Sequence, residues 1–206
     1  MDEIVLRSML KWPNVPAVYG WLRLDRRGHW LIRMPSSPDA GGLGLAGRFE
    51  RIANPALTEF IGRNYAADGE GRWYFQNGPQ KVFVALDYTP WVYRLDDAGG
   101  AFLAHTGAAP RAPEAAFLDD AGALLLETEM GIGVLLDRDL PAVLERLADD
   151  RGLAVERRLE EIAQGAEAQL ILHGRTLGVS SIRAVEVPRR FGFVARPAPR
   201  AGEPEC

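Results

Sequence analysis

The chain has 206 residues, of which 47% are hydrophobic and 25% are charged, and its formal net charge is −4. This length and composition are typical of a soluble globular protein with one large domain or two small ones. The acidic balance argues against bulk attraction to nucleic acid or anionic membranes, and no apolar run approaches the roughly 18 residues of a membrane span.

The first predicted elements are a short helix and a hairpin. Asp2 is a suitable N-cap for a helix over residues 2–11, and Pro13 ends it because proline disfavours helical geometry in the residue before it. Strands over 18–24 and 29–34 form the hairpin, and the Pro- and Gly-rich segment 35–47 is predicted to be a loop.

The next elements are a helix and a dense β region. Asn54-Pro55 opens a helix over 54–65, since asparagine caps and proline fits the first helical position. The predicted strands that follow are 72–76, 81–88, 91–95 and 101–105. Along Val82–Tyr88 the side chains are apolar on both faces, which predicts a central strand covered on both sides.

A change in composition separates two predicted lobes. Residues 107–114 contain two prolines and are predicted to be a linker, and all the tryptophans and tyrosines precede it. The sequence therefore predicts either one domain or an aromatic-rich α+β lobe at 1–106 joined to a second β-rich lobe at 115–195.

The second lobe repeats the pattern of strands followed by helices. Strands are predicted at 115–118, 123–129 and 132–136, helices at 139–150 and 153–164, and closing strands at 170–173, 179–187 and 191–194. The last residues, 196–206, are predicted to be a disordered tail.

Four Asp-x-x-Gly segments predict how these strands connect. The segments are Asp25–Gly28, Asp68–Gly71, Asp96–Gly99 and Asp119–Gly122, and apolar or aromatic residues follow them. Aspartate begins a turn because its carboxylate accepts bonds from nearby backbone N–H groups, and glycine ends it because a tight reversal needs a residue at positive φ. The predicted fold class is therefore α+β, dominated by antiparallel β-meanders and hairpins with three to four helices.

The segments that start at Asp68 and Asp119 also match each other beyond the turn. Asp, Gly, Leu-Asp, Pro and Arg-Leu recur at nearly constant offsets, with slips of one or two residues. An internal repeat would explain this match, but shared hairpin chemistry is the interpretation we favour from the sequence.

The sequence offers no coherent catalytic motif. Gly42-Leu-Gly44-Leu-Ala-Gly47 matches a dinucleotide fingerprint only as a string, because it neither follows a strand nor opens a helix. One cysteine and three scattered histidines provide no metal-ligand spacing, so neither a metal nor a cofactor is expected.

His105 is a weak catalytic candidate because histidine titrates near neutral pH and lies here at the end of a predicted strand. A small hydrolase or isomerase would pair His105 with a carboxylate such as Asp87, Glu127 or Glu129. The competing interpretation is that His105 caps the strand end through the backbone.

Aromatic density favours a binding role instead. Trp21, Trp73, Tyr88 and Trp91, with the amide of Asn77, are the predicted lining of a cleft for a small molecule or a protein partner. Arg183, Arg189 and Arg190 form a basic segment that would contact nucleic acid, but the acidic chain makes such a partner the weaker interpretation.

The cysteine content and the first residues point to a location. Cys206 cannot form an internal disulfide, and Met1-Asp2-Glu3 lacks the basic region of a secretory signal. A cytoplasmic protein without membrane association is expected.

Several sequence segments resemble those of a known family. They are Lys11–Trp21, Phe60–Tyr65, Trp73–Pro79, Tyr88–Trp91 and Pro188–Val194. They resemble a family of bacterial, largely proteobacterial, proteins that is catalogued as a domain of unknown function. The resemblance covers nearly the whole chain except the tail and implies a cytoplasmic bacterial protein, with no assigned activity, cofactor or catalytic residue.

Overall fold

The computed structural model describes residues 1–34, 48–96, 98, 100–146, 155–172 and 175–203. The chain divides into two units: Met1–Tyr88 and the residues from Phe193 onward form the first, and Thr89–Gly192 form the second. The predicted linker, 107–114, lies inside the second unit. The predicted loop and the Gly-rich string within 35–47 fall outside the described residues.

In the described residues, the first unit contains two α-helices and six strands that form one sheet, called here the first sheet. These elements are α1 (Glu3–Lys11), β1 (Val18–Leu24), β2 (Trp30–Arg33), β3 (Phe49–Arg51), α2 (Pro55–Arg63), β4 (Tyr65–Ala67), β5 (Trp73–Asn77) and β6 (Gln80–Leu86). The strand order is β3-β2-β1-β6-β5-β4, with β1 and β6 parallel and the other neighbours antiparallel. Strand β6 is therefore central, as predicted, and Phe83 and Val84 are buried on its opposite faces.

The second unit, over its described residues, has three α-helices and a seven-stranded sheet, called here the second sheet. These elements are β7 (Trp91–Leu95), β8 (Phe102–Ala104), β9 (Ala115–Asp119), β10 (Leu124–Thr128), β11 (Gly131–Leu135), α3 (Leu140–Leu144), α4 (Val155–Ala163), β12 (Ala168–Leu172), β13 (Arg175–Ile182) and α5 (Val187–Arg190). The order is β12-β13-β9-β10-β11-β7-β8, in which β11 runs parallel to β7 and β13 runs parallel to β9. The α+β class with mainly antiparallel pairing is confirmed, and the described residues contain five α-helices, more than the three to four predicted.

The Asp–Gly turns close hairpins as predicted. Asp25 illustrates the geometry: its backbone oxygen accepts from Gly28 N–H at 3.1 Å, and Oδ1 accepts from the amides of Arg27 and His29 at 2.9 and 2.8 Å. Gly28 has a φ of 81°, which is why glycine is required there. The turns at 68–71 and 119–122 repeat this pattern.

Residues 97 and 99 of the predicted turn Asp96–Gly99 lie outside the described residues. Asp96 N–H donates to the oxygen of Ala101, five residues on, whereas Asp25 N–H donates to His29, four residues on. Strands β7 and β8 on either side are antiparallel, so this turn also closes a hairpin.

The two sheets share a connectivity. The path β2-β1-β6-β5-β4 in the first sheet corresponds to β8-β7-β11-β10-β9 in the second. In each, a hairpin is followed by a three-stranded meander, and the last strand of the meander runs parallel to the first strand of the hairpin. This agreement supports an internal repeat as the origin of the match between the segments at Asp68 and Asp119.

One predicted helix end and two predicted strands were wrong, because capping and proline dominate locally. The helix predicted to reach residue 65 ends at Arg63, since Asn64 is a fully buried C-cap and β4 starts at Tyr65. The strand predicted at 179–187 ends at Ile182 and is followed by a 3₁₀ turn and α5, and in the stretch predicted as a strand at 191–194 only Val194 forms a bridge, with Arg72. Pro188 lies in the first turn of α5, where its missing N–H costs nothing.

Candidate functional site

The first unit holds four of the residues predicted to line an aromatic cleft, and their environments differ. Trp21 is 43% exposed on β1, next to a register irregularity between Val18 and Leu22. Trp73 is half-buried, and its ring lies 4.7 Å from that of Tyr65. Trp73 therefore packs among other aromatic rings, whereas Trp21 presents its indole to solvent.

Tyr88 and Asn77 complete this set in the first unit. Tyr88 is buried, and the guanidinium of Arg26 lies 4.4 Å from its ring centroid, a cation–π distance. Asn77 is exposed at the end of β5, where it pairs with Gln80 across the hairpin. The role of these residues as ligand contacts stays a prediction.

Trp91 and His105 lie in the second unit. Trp91 is buried, and its indole N–H donates to the backbone oxygen of Met130 at 2.6 Å. Nδ1 of His105 accepts from the Val92 N–H at 3.3 Å, and its ring centroid lies 5.7 Å from that of Trp91. An accepting Nδ1 places the proton of a neutral ring on Nε2. Catalysis by His105 stays a prediction, and these contacts agree with a strand-end role.

Two of the three carboxylates predicted as partners for His105, those of Asp87 and Glu129, bind other groups. Asp87 makes a two-point ion pair with Arg23 at 2.5 and 2.7 Å in the first unit. Glu129 accepts from the backbone N–H of Arg111 at 2.8 Å, and this bond lowers the pKa of Glu129 below its ordinary value.

The third carboxylate, Glu127, lines a cavity of about 840 Å³ within the second unit. The cavity lies between the second sheet and helices α4 and α5. Its lining residues come from six elements and one loop: Ala115–Phe117 of β9, Glu127 of β10, Arg158, Glu161 and Ile162 of α4, Ala166 and Glu167 of the loop after α4, Ala168 and Gln169 of β12, Gly178–Ser180 of β13, and Arg190 of α5.

Strand pairing explains which sheet residues face this cavity together. Glu127 is the cross-strand partner of Ala115, and Phe117 is the partner of Ser180. Paired residues point to the same face of a sheet, so a carboxylate, a hydroxyl and an aromatic ring share one surface. The Arg190 guanidinium lies 4.7 Å from the centroid of the Phe117 ring.

Helix α4 contributes a buried cation to the same cavity. Arg158 is only 6% exposed and lies four residues before Ile162, which is 1% exposed, so both occupy the inner side of the helix. A low-dielectric setting strengthens any charge-assisted hydrogen bond that a guanidinium makes. The lining thus combines guanidinium, carboxylate, hydroxyl and aromatic groups, which suits binding of a polar small molecule.

Sequence reasoning missed this cavity, although one signal was present. Val155, Leu159 and Ile162 predict the helix over 153–164, and Arg158 lies within it. The available signal is that Arg158 lies four residues before Ile162, which places the two side chains on the same face of the helix. No local sequence pattern indicates which strands will contribute side chains to the same surface of the sheet.

A second polar cluster lies in the first unit around Arg72. Its guanidinium donates to both carboxylate oxygens of Glu203 at 3.2 Å and to Asp68 Oδ2 at 2.8 Å. The Tyr19 hydroxyl donates to Glu203 Oε2 at 2.8 Å, and Arg200 N–H donates to the same oxygen at 3.0 Å. Burial, followed by the bond to Glu203, raises the pKa of Tyr19 to about 12, so this hydroxyl remains protonated at neutral pH.

This cluster predicts a pH-dependent contribution to stability. Hydrogen bonds from Arg72, the Arg200 amide and Tyr19 lower the pKa of Glu203 from its ordinary 4.5 to about 2. Because the folded-state pKa is below the unfolded one, this stabilisation is present above about pH 4.5 and is lost as pH falls toward about 2. Urea unfolding of the wild type and of Glu203→Gln, compared between about pH 7 and about pH 3, should show a free-energy difference that shrinks with falling pH. A difference that stays constant over this range would contradict the prediction.

Among the described residues, no group of three or more His, Cys, Asp and Glu side chains is placed to hold a metal ion. In the same part of the chain, no helix combines the length and apolarity needed to cross a membrane.

Comparisons with known proteins identify relatives without a known function. A family model labelled DUF2944, with the description "Protein of unknown function (DUF2946)", matches residues 1–198. The chain is also similar to the crystal structure of a DUF1285 family protein from Silicibacter pomeroyi DSS-3, with a TM-score of 0.50 and 15% identity over 81% of this chain and 82% of that one. At this identity the likeness concerns the fold alone. A comparison with curated proteins found no match.

Proposed function

This chain belongs to the DUF2944 family of proteins of unknown function, and from that premise we propose that it is a non-catalytic binding protein whose second unit holds a small polar molecule. The observation that carries this proposal is the cavity of about 840 Å³ lined by the buried side chain of Arg158. Its volume falls within the range of about 300–1,000 Å³ that is typical of ligand pockets.

The charges of the lining favour one class of ligand. Arg158 and Arg190 would attract an anionic group, and Glu127, Glu161 and Glu167 would accept hydrogen bonds from amino or hydroxyl groups. The ring of Phe117 adds an apolar surface. We therefore propose a small molecule that carries an anionic group together with hydrogen-bond donors.

Blocking the cavity should abolish ligand binding. Gly178 lines the cavity, its backbone is not in the left-handed region, and a Cβ there would meet no atom within 4 Å. In a thermal-shift screen against a metabolite library, a ligand at 100 times its Kd should raise the Tm of the wild type by about 5–10 °C. Gly178→Leu should fold normally and lose this shift.

A matched control separates filling of the cavity from a general effect of leucine. Gly69 lies in a turn of the first unit, also has open space around a Cβ, and does not line the cavity. Gly69→Leu should keep the full shift. A ligand that shifts Gly178→Leu as strongly as the wild type would contradict the proposal.

The same screen tests the aromatic cleft predicted from the sequence. The exposed indole of Trp21 is the observation that supports a contact surface there. A ligand whose shift is lost in Trp21→Ala and retained in Gly178→Leu would assign the binding role to the aromatic residues rather than to the cavity.

A further inference from the structure

The chain returns to the first unit through residues Val194–Glu203, called here the strap, which form neither helix nor strand and end in a turn over 200–203. Val194 N–H donates to the backbone oxygen of Gly71 at 2.9 Å, and the backbone oxygen of Ala195 accepts from Leu86 N–H at 2.8 Å. Val194 also forms an isolated parallel bridge with Arg72. Backbone hydrogen bonds to an extended segment are the means by which β-augmentation holds a peptide.

The strap ends at a carboxylate that is held from two sides. Both oxygens of Glu203 accept from the Arg72 guanidinium, and one also accepts from the Tyr19 hydroxyl. A guanidinium that binds both oxygens of a carboxylate gives geometric specificity as well as charge attraction.

The receiving side of this contact is rigid and is built without the strap. Asp68 binds Arg72 Nε and fixes the guanidinium, which lies 4.6 Å from the centroid of Phe83. The Tyr19 ring stacks on Phe83 with centroids 4.5 Å apart. With the strap in place the Arg72 side chain is only 11% exposed and the Glu203 side chain is 28% exposed, so the cation is better shielded from water than the carboxylate that binds it.

The strap itself is mostly exposed. The side chains of Arg196 and Arg200 are 62% and 51% exposed, and Val194 is 36% exposed. A segment that buries so little apolar surface opens at low free-energy cost, because its attachment depends on a few polar contacts.

We propose that Arg72 and Tyr19 bind the glutamate of a peptide segment of a partner protein, and that the strap occupies this site through Glu203 until such a segment displaces it. Asp87 and Glu70, which pair with Arg196 and Arg200 of the strap, would bind basic residues of the same segment. The backbone bonds at Gly71 and Leu86 favour a peptide over a free anion, because they hold main-chain groups of Val194 and Ala195 in the same segment as Glu203. This proposal is independent of the cavity in the second unit.

A competition experiment with the chain's own sequence tests the proposal. The probe is a fluorescent peptide of residues 194–203, and fluorescence anisotropy measures its affinity for full-length wild type and for Glu203→Gln. The substitution weakens the tethered competitor, so the probe should bind Glu203→Gln about tenfold more tightly than the wild type. A peptide with Gln in place of Glu at its last position should bind about tenfold more weakly than the probe.

A double variant and a second measurement provide the controls. Adding Tyr19→Phe to Glu203→Gln removes one hydroxyl donor and should weaken binding of the probe several-fold without unfolding the chain, as circular dichroism would check. Hydrogen–deuterium exchange of the wild type should show faster exchange in the strap when excess probe is added. Equal affinities for both proteins, or unchanged strap exchange at saturating probe, would overturn the proposal.

Discussion

Gly133→Ala is expected to destabilise the second unit by about 3 kcal/mol or more, because there is no room for a side chain at this position. A Cβ at Gly133 would lie 2.3 and 2.5 Å from Cε2 and Cδ2 of Tyr93 and 2.9 Å from Cβ of Trp91. Tyr93 cannot easily move away, since it is fully buried and its hydroxyl bonds Thr128 Oγ1 at 2.8 Å and Gly131 O at 3.0 Å. Relief of the clash would break these bonds or separate β11 from β7.

Urea denaturation of the full chain, followed by circular dichroism, measures this effect. Gly178→Ala is the matched control, because Gly178 is also a strand glycine of the second sheet and a Cβ there meets no atom within 4 Å. Its free energy of unfolding should stay within about 0.5 kcal/mol of the wild type. Similar values for the two variants would show that the Tyr93 ring shifts without cost.

Local chemistry explains why much of the fold was predictable from the sequence. An aspartate that binds its own turn and a glycine at positive φ act within four or five residues, so hairpins at Asp25, Asp68 and Asp119 were correctly predicted. The pairing of β1 with β6 was not predictable in this way. Their paired residues, Leu22 and Val84, are distant in sequence, and the apolar side chains of a strand do not indicate which parallel strand lies beside it.

The candidate site shows the same division between local and long-range information. The density of aromatic residues predicted a binding cleft around Trp21 and Trp73. It does not distinguish the exposed indole of Trp21 from that of Trp73, which packs on Tyr65. The cavity combines β9, β10, β12, β13, α4 and α5, whose residues meet only after the sheet has formed. The sequence shows Arg158 only as a charged residue four positions before an apolar one, Ile162, on the same helix face.

The turn aspartates should differ in their contribution to stability, although their sequence motif is the same. Asp119 is 3% exposed, and Oδ1 accepts from the amides of Ala121 and Ala123 at 2.9 and 2.7 Å. The side chain of Asp25 is 21% exposed and binds two amides in the same way. Water can replace a lost acceptor at Asp25 more easily than at Asp119.

Asp119→Ala is therefore expected to lower the free energy of unfolding by about 2–4 kcal/mol, because it removes the acceptor of the buried Ala123 N–H and of the part-buried Ala121 N–H. Asp25→Ala should cost about 1 kcal/mol, and Asp119→Asn, which keeps an oxygen at the same place, about 1 kcal/mol or less. Urea denaturation of the three variants at neutral pH measures this order. Equal losses for Asp119→Ala and Asp25→Ala would mean that the turn motif alone, and not its burial, determines the energy. The predicted difference between Asp119→Ala and Asp25→Ala thus tests whether burial in the second unit makes the same turn motif contribute more to stability.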